Sequence, residues 1–319
     1  MSDPASSQTH CLLSGLAYGL GQAGLDDRPL YIGSWDAPFG VTEEGVLSYY
    51  SAEISPRSQL DSFVRLYGNG LAEWYDHAKD KQVNYGRWLE TLGSHPAEVH
   101  LLQLDLYYLP YDRRSYRSVR RPHYVIVRRL PGGSYGIRDP YLGWEGELAE
   151  DTVREAFFGN PLGGGILLRP SELRQPEAGQ IRSLFEEATG ERGNPLAEAA
   201  RRRVLDSLPP EKFDPSTLKE AFAQLGVLAR RKLGYSRLYG YFAEAVSEEA
   251  APYEAELERL VKLWHSFAYS AIRASLSGQA EQVRGLLEKL DRLERLENER
   301  RAELIHVYER WKKSENRLL

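Results

Sequence analysis

HYVIVRRLPGGSYGIRDP, residues 123–140, decides how the N-terminal half of this 319-residue chain is read. Tyr124 to Val127 is an apolar run with β-branched members, Ser134 to Arg138 is a second short strand, and Pro131-Gly132-Gly133 between them supplies turn residues. Chemistry stands at both ends of this hairpin: His123 precedes the first strand and Asp139-Pro140 follows the second. The two are 16 residues apart, which suits adjacent strands bent at Gly132-Gly133 and sets imidazole and carboxylate side by side.

Working outward, Leu101 to Tyr108 reads as a further strand, with Gln103, Asp105 and Tyr107 on one face and Leu102, Leu104 and Leu106 on the other. Gly165 to Leu168 reads as another. Towards the N-terminus, Cys11 opens the stretch LLSGLAYGLGQAG, where Leu12, Leu16 and Leu20 recur at helical spacing before Gly21 and Gly24; a helix is expected from the cysteine onward.

Residues 1–170 hold 20 of the 28 glycines and 14 of the 20 tyrosines, whereas residues 171–319 carry 25 acids, 25 bases and helical periodicity. The expectation is an α+β unit over 1–170 followed by an all-helical unit over 171–319. Within the latter, Pro215-Ser216 to Leu233, Ala251 to Leu276 and Gln279 to Lys313 read as helices. In the last, Val283, Leu286, Leu290 and Leu293 alternate by three and four, lapse at Glu297 and Arg300, and resume at Leu304, Val307 and Trp311. A long antiparallel hairpin turning near Gly278 follows. Tyr239, Tyr241, Phe242, Trp264, Phe267 and Tyr269 read as packing residues, with a roof over a substrate pocket or a homodimer interface through these helices as the other uses.

A net charge of −5 gives no reason to expect a nucleic-acid partner. No stretch approaches the roughly 18 apolar residues of a membrane span, and MSDPASSQTH lacks the pattern of a signal peptide, so a cytoplasmic location is expected. A single cysteine leaves no internal disulfide and no Cys-cluster metal site. His77, His95, His100, His265 and His306 lack metal-ligand spacing, and no metal or bound cofactor is expected. Gly163 to Gly165 lacks the Lys-Ser/Thr of a phosphate loop.

Cys11, His123 and Asp139 therefore stand out. A helix N-terminus and a neighbouring imidazolium depress a thiol pKa, and a carboxylate fixes the ring's orientation and tautomer. Singly, each has a structural reading: an inert buried thiol, a histidine in a capped turn, an Asp-Pro turn starter. Together they read as nucleophile, general base and orienting acid.

The order of a Cys-headed helix, a His-headed strand and Asp-Pro after the next strand resembles the papain-like cysteine clan, in particular the C39-type peptidases. His10-Cys11, Asp105-Leu106-Tyr107-Tyr108-Leu109-Pro110-Tyr111, His123-Tyr124-Val125-Ile126-Val127 and Arg138-Asp139-Pro140 are similar to the carrier-protein-dependent acyltransferases of natural-product assembly, those of the butirosin and petrobactin type. The resemblance spans about residues 8–170. It implies a papain-like catalytic core in which Cys11, His123 and Asp139 do the chemistry. An acyl, most plausibly aryl, group would pass from the phosphopantetheine thioester of an acyl or aryl carrier protein to Cys11, then to a primary amine such as a polyamine, in siderophore or natural-product biosynthesis. Where papain-like proteases keep an oxyanion glutamine, Ala5 stands here, so Gln8 is the candidate donor. Tyr31, Trp35, Asp36, Asp105, Tyr107 and Tyr108 are candidate pocket residues: aromatic walls for the acyl group and carboxylates for remote ammonium groups. Arg113, Arg114, Arg117, Arg120 and Arg121 are candidates for docking the carrier's phosphate and acidic surface; a solvated loop is their other reading. A peptidase or amidase using the same three residues, and a non-catalytic scaffold, are the competing functions.

Overall fold

The computed structural model describes residues 10–35, 38–50, 54, 56–190, 193–208 and 213–318. The chain divides into two compact units, one formed by Met1–Leu30 with Leu60–Glu177 and one by Tyr31–Gln59 with Ala178–Leu319. The division thus differs from a single cut at residue 170: the segment Tyr31–Gln59 clusters with the helices, because Tyr31, Trp35 and Leu47 are buried in that unit's core.

The first unit is α+β. Its elements are α1 (Cys11–Gln22), most of α2 (Arg57–Tyr67), α3 (Lys81–Ser94) and α4 (Glu150–Gly159), with strands β3 (Leu71–Glu73), β4 (Val99–Asp105), β5 (Pro122–Arg129), β6 (Tyr135–Asp139), β7 (Trp144–Leu148) and β8 (Gly165–Leu168). The short pair β1 (Gly40–Val41) and β2 (Leu47–Ser48) belongs to the other unit. The six strands form one antiparallel sheet in the order β3-β8-β4-β5-β6-β7. β5 and β6 are the hairpin expected from residues 123–140: Ile126 pairs with Arg138 and Arg129 with Tyr135. Gly132 and Gly133 make the turn at φ of 91° and 92°, a region that side chains with a Cβ avoid.

The run Leu101 to Tyr108 departs from a simple strand. β4 starts at Val99 and ends at Asp105, and Leu106–Tyr108 coil into a 3-10 turn because the Asp105 carboxylate accepts the Tyr107 N–H at 3.0 Å. On the sheet face packed by α3 and α4, Leu102, Leu104, Val125, Val127 and Ile137 join Trp88, Val153 and Phe157 in a core closed to water. Fully burying side chains of this size contributes roughly 1.5–3 kcal/mol each. α1 packs against β4 and β5. It lies close because Gly15 and Gly19 face the sheet: a Cβ would stand 2.3 Å from the Leu101 side chain at the first and 2.0 Å from Leu168 at the second.

The second unit holds α5 (Ala178–Thr189), α6 (Pro195–Asp206), α7 (Leu218–Ala221), α8 (Leu225–Arg230), α9 (Gly234–Ala245), α10 (Ala251–Ser277) and α11 (Ala280–Leu318). The helix expected from Pro215 to Leu233 is broken into α7 and α8 with flanking 3-10 turns. Gly226 lies there against His265, where a Cβ would meet the ring at 2.6 Å. The α10–α11 hairpin turns at Gly278, which ends α10 in the left-handed conformation at φ 64°. The heptad lapse at Glu297 is a buried ionic site. Its carboxylate lies 3.2 Å from the Lys232 ammonium, both groups 1% exposed, and accepts from the Trp264 indole and the Asn194 amide. Tyr269, grouped above with packing residues, is 67% exposed. No described helix is long and apolar enough to cross a membrane.

Candidate active site

α1 begins at Cys11, and the His10 imidazole caps it by accepting the Leu12 N–H at 3.2 Å through Nδ1. Free amides at a helix N-terminus favour negative charge on a group placed there. The Cys11 sulfur hydrogen-bonds to the His123 side chain and to the Tyr124 backbone N–H. Cys11 itself is half-buried. Burial by itself would push the thiol up; the His123 charge, its hydrogen bond and the Tyr124 N–H outweigh that, and the thiol lies below its ordinary value.

His123 is 4% exposed, and its Nε2 lies 2.7 Å from Oδ2 of Asp139, which is fully buried. With Nε2 turned to the carboxylate, Nδ1 is the ring nitrogen left for the sulfur. Desolvation would push the imidazole down, but the Asp139 carboxylate, followed by Cys11, lifts it to about 10. Both shifts favour the same charge distribution, a thiolate beside an imidazolium.

Asp139 has two further donors. Oδ1 accepts the Leu142 N–H at 3.0 Å, and Oδ2 accepts the Tyr111 hydroxyl at 3.1 Å. The Tyr111 ring stacks on Trp144, centroids 4.0 Å apart and planes 6° from parallel. The Tyr141 ring meets the His123 ring edge-on at 5.4 Å. Of these three aromatics the sequence reading names only Tyr111, as the last residue of the motif Asp105 to Tyr111. That a hydroxyl would reach Asp139 has no sequence signal, since it depends on how the turn after Leu106–Tyr108 places residue 111.

The remaining candidates differ in burial and in partners. Asp105 corrects its reading as a free ammonium anchor: it is fully buried, Oδ1 accepts the Tyr107 and Arg121 N–H groups at 3.0 Å each, and Oδ2 takes Arg120 at 3.1 Å. A carboxylate so committed shapes the loop between β4 and β5. Tyr107 and Tyr108 meet edge-on at 5.0 Å, and the Arg117 and Arg120 guanidinium groups cover their faces at 4.8–5.6 Å. Arg120 also donates to the Gly159 carbonyl and the Tyr108 hydroxyl, and Arg117 reaches Glu155 at 3.5 Å. Arg113 and Arg114 are exposed and Arg121 is half-buried. Tyr31 and Trp35 belong to the second unit, where Trp35 packs on Tyr235 at 5.1 Å under the Lys232 ammonium. Gln8 and Asp36 lie outside the described residues.

Residues 6–173 match the DUF6005 N-terminal domain, and residues 179–318 match the DUF6005 C-terminal domain. The chain belongs to the DUF6005 family. It is 29% identical over 314 residues to petrobactin synthase of Bacillus anthracis, an alignment that covers 96% of each chain. The boundary between the two DUF6005 domains falls between residues 173 and 179, close to the change of unit at Glu177–Ala178.

Proposed function

We propose that this DUF6005 protein is a cysteine acyltransferase of siderophore biosynthesis with a papain-like core. The observation that carries the reading is the contact of Cys11 with His123 and of His123 with Asp139, joined to the similarity to petrobactin synthase. In this reaction the Cys11 thiolate attacks the thioester carbonyl of an acyl or aryl group borne on a carrier protein's phosphopantetheine. The carbon–sulfur bond of the carrier breaks, and its thiolate takes a proton from the His123 imidazolium. The acyl group is now a thioester on Cys11 and His123 is neutral.

An incoming primary amine, such as that of a polyamine, then attacks. His123 accepts the ammonium proton of the tetrahedral adduct, the Cys11 thiolate departs, and the amide leaves with the thiolate–imidazolium pair restored. Asp139 keeps Nε2 occupied so that Nδ1 stays directed at the sulfur. The free energy of amide formation comes from the donor thioester, so the chain's own residues need only position groups and move protons. Exposed Arg113 and Arg114, in the loop that leads to His123, suit the docking of an anionic carrier.

Intact mass of the protein mixed with an aryl-loaded carrier tests the reading. An adduct of the acyl mass is expected, lost on Cys11→Ala and discharged by polyamine. No adduct, or an adduct that survives in Cys11→Ala, would refute it. Cleavage of peptides without any carrier would mark a C39-like peptidase instead.

A further inference from the structure

We propose that Tyr111 is a positioning residue that tempers the basicity of His123 by sharing the Asp139 oxygen on which the imidazole depends. This deepens the reading given under Proposed function and rests on it.

Asp139 is buried, and no solvent competes for its oxygens, so the carboxylate's influence on His123 is set by its protein donors. Oδ1 is taken by the Leu142 N–H, which fixes the plane of the group. Oδ2 receives both the His123 Nε2 at 2.7 Å and the Tyr111 hydroxyl at 3.1 Å. A second donor on one oxygen draws electron density from it and weakens its pull on the imidazolium proton. Burial and the neighbouring Asp139 charge hold the Tyr111 hydroxyl well above its ordinary value, so it remains a donor throughout the working pH range. The stack on Trp144 holds the phenol in place, and Trp144 is itself the strand partner of Asp139. Stack, hydroxyl and carboxylate therefore form one fixed assembly behind the imidazole.

The purpose follows from the two halves of the proposed reaction. The first half needs an imidazolium that gives up a proton to a departing thiolate, and the second needs an imidazole that takes one from an amine. A histidine held too firmly in its charged form serves neither. Tyr111 is also the last member of the motif Asp105 to Tyr111, whose first member shapes the preceding turn. The motif thus gains a reason in this fold: Asp105 sets the loop, and the loop delivers the Tyr111 hydroxyl to Asp139.

The test compares the full-length protein with Tyr111→Phe, which keeps the stacked ring and removes only the hydroxyl. Two titrations are read. Alkylation by neutral iodoacetamide reports the only cysteine in the chain. The nitrogen shifts of 15N-histidine, assigned to His123 by its absence in His123→Gln, report the imidazole. In the variant the His123 midpoint should move upward by about half a pH unit, because Oδ2 is released to the imidazole alone. Site-specific 3-fluorotyrosine at position 111, a stronger donor of the same shape, should move it downward, and it preserves the test should Tyr111→Phe fail to fold. An unchanged midpoint in both variants, or a downward shift in Tyr111→Phe, would overturn the proposal. The underlying reading fails separately: in that case the wild-type thiol reacts as an ordinary one, with a midpoint near pH 8.5.

Discussion

Replacing Cys11 with alanine should change how the stability of the protein depends on pH, and the sign follows from proton counting. An unperturbed histidine titrates at 6.5, whereas His123 in the fold is lifted to about 10; an unperturbed thiol titrates at 9.0, whereas Cys11 in the fold is lowered. Between about pH 6.5 and 8.5 the unfolded pair carries one proton, on sulfur, and the folded pair also carries one, on the imidazole. Equal proton numbers mean that this pair adds no slope to stability in that window. In Cys11→Ala the unfolded chain carries none there, while the folded chain carries one wherever Asp139 alone, without the Cys11 share of the lift, still holds the imidazole protonated. A group with a raised folded pKa stabilises fully below its unfolded pKa, and that contribution is lost as pH rises towards the folded value. Relative to the wild type, the variant should lose up to about 1.4 kcal/mol per pH unit over the part of that window below the His123 midpoint that Asp139 alone sustains. Urea unfolding at half-unit steps of pH measures it, and taking the difference between the two proteins cancels every other titrating group. Parallel curves would refute the reasoning, since they require either that Asp139 does not hold His123 protonated or that the wild-type thiol keeps its proton.

Two further outcomes follow from buried charges. Glu297→Ala strips the partner from the Lys232 ammonium, which is 1% exposed, and should cost about 3–5 kcal/mol in urea unfolding followed by circular dichroism, whereas Lys232→Met with Glu297→Gln, which removes both charges and keeps an acceptor for the Trp264 and Asn194 donors, should cost clearly less. If the double substitution proves as damaging as the single one, the pair is held by something other than its charges. Asp105→Ala removes the acceptor of two backbone N–H groups and Arg120, and should destabilise the chain by about 2–4 kcal/mol while, in the proposed reaction, leaving the KM for a polyamine acceptor within about twofold in any surviving fold; a much larger rise in KM would mark Asp105 as an ammonium anchor.

How far the sequence was legible depends on the range of the interaction concerned. The β5–β6 hairpin was readable because its turn glycines, its β-branched run and its flanking His123 and Asp139 are local signals. The α10–α11 hairpin was readable for the same reason, from the helix-ending Gly278 and the three-four apolar alternation that follows it at Val283, Leu286, Leu290 and Leu293. The placement of Tyr31–Gln59 with the helices was not, because it rests on Trp35 packing against Tyr235, some two hundred residues away in the chain. Glu297 looked like a lapse in a heptad, and only the fold reveals Lys232, Trp264 and Asn194 converging on it. Gly15 and Gly19 carried a usable signal that went unread: two glycines four apart on one face of an apolar helix mark a close approach, and that approach lays α1 on the sheet.

In the proposed reaction, Cys11, His123 and Asp139 do not by themselves select an amine over water as acceptor. A thiolate–imidazolium pair serves hydrolysis and aminolysis alike, since each ends with His123 protonated and the thiolate free. Selection must come from the ionisation of the acceptor and from the access of water. A polyamine is almost wholly protonated near neutral pH, with its nitrogens close to the ordinary lysine value, so in the proposed reaction the attacking nitrogen first sheds one proton to solvent and His123 takes the second from the tetrahedral adduct. Once Cys11 is acylated its share of the lift on His123 is gone, and the Asp139 carboxylate is what still raises the basicity of the imidazole for that proton. Water needs no such base strength to be abundant. Under the proposed function, His123 raised by Asp139, with Tyr111 on the same carboxylate oxygen, is therefore the feature that would favour transfer to an amine over water.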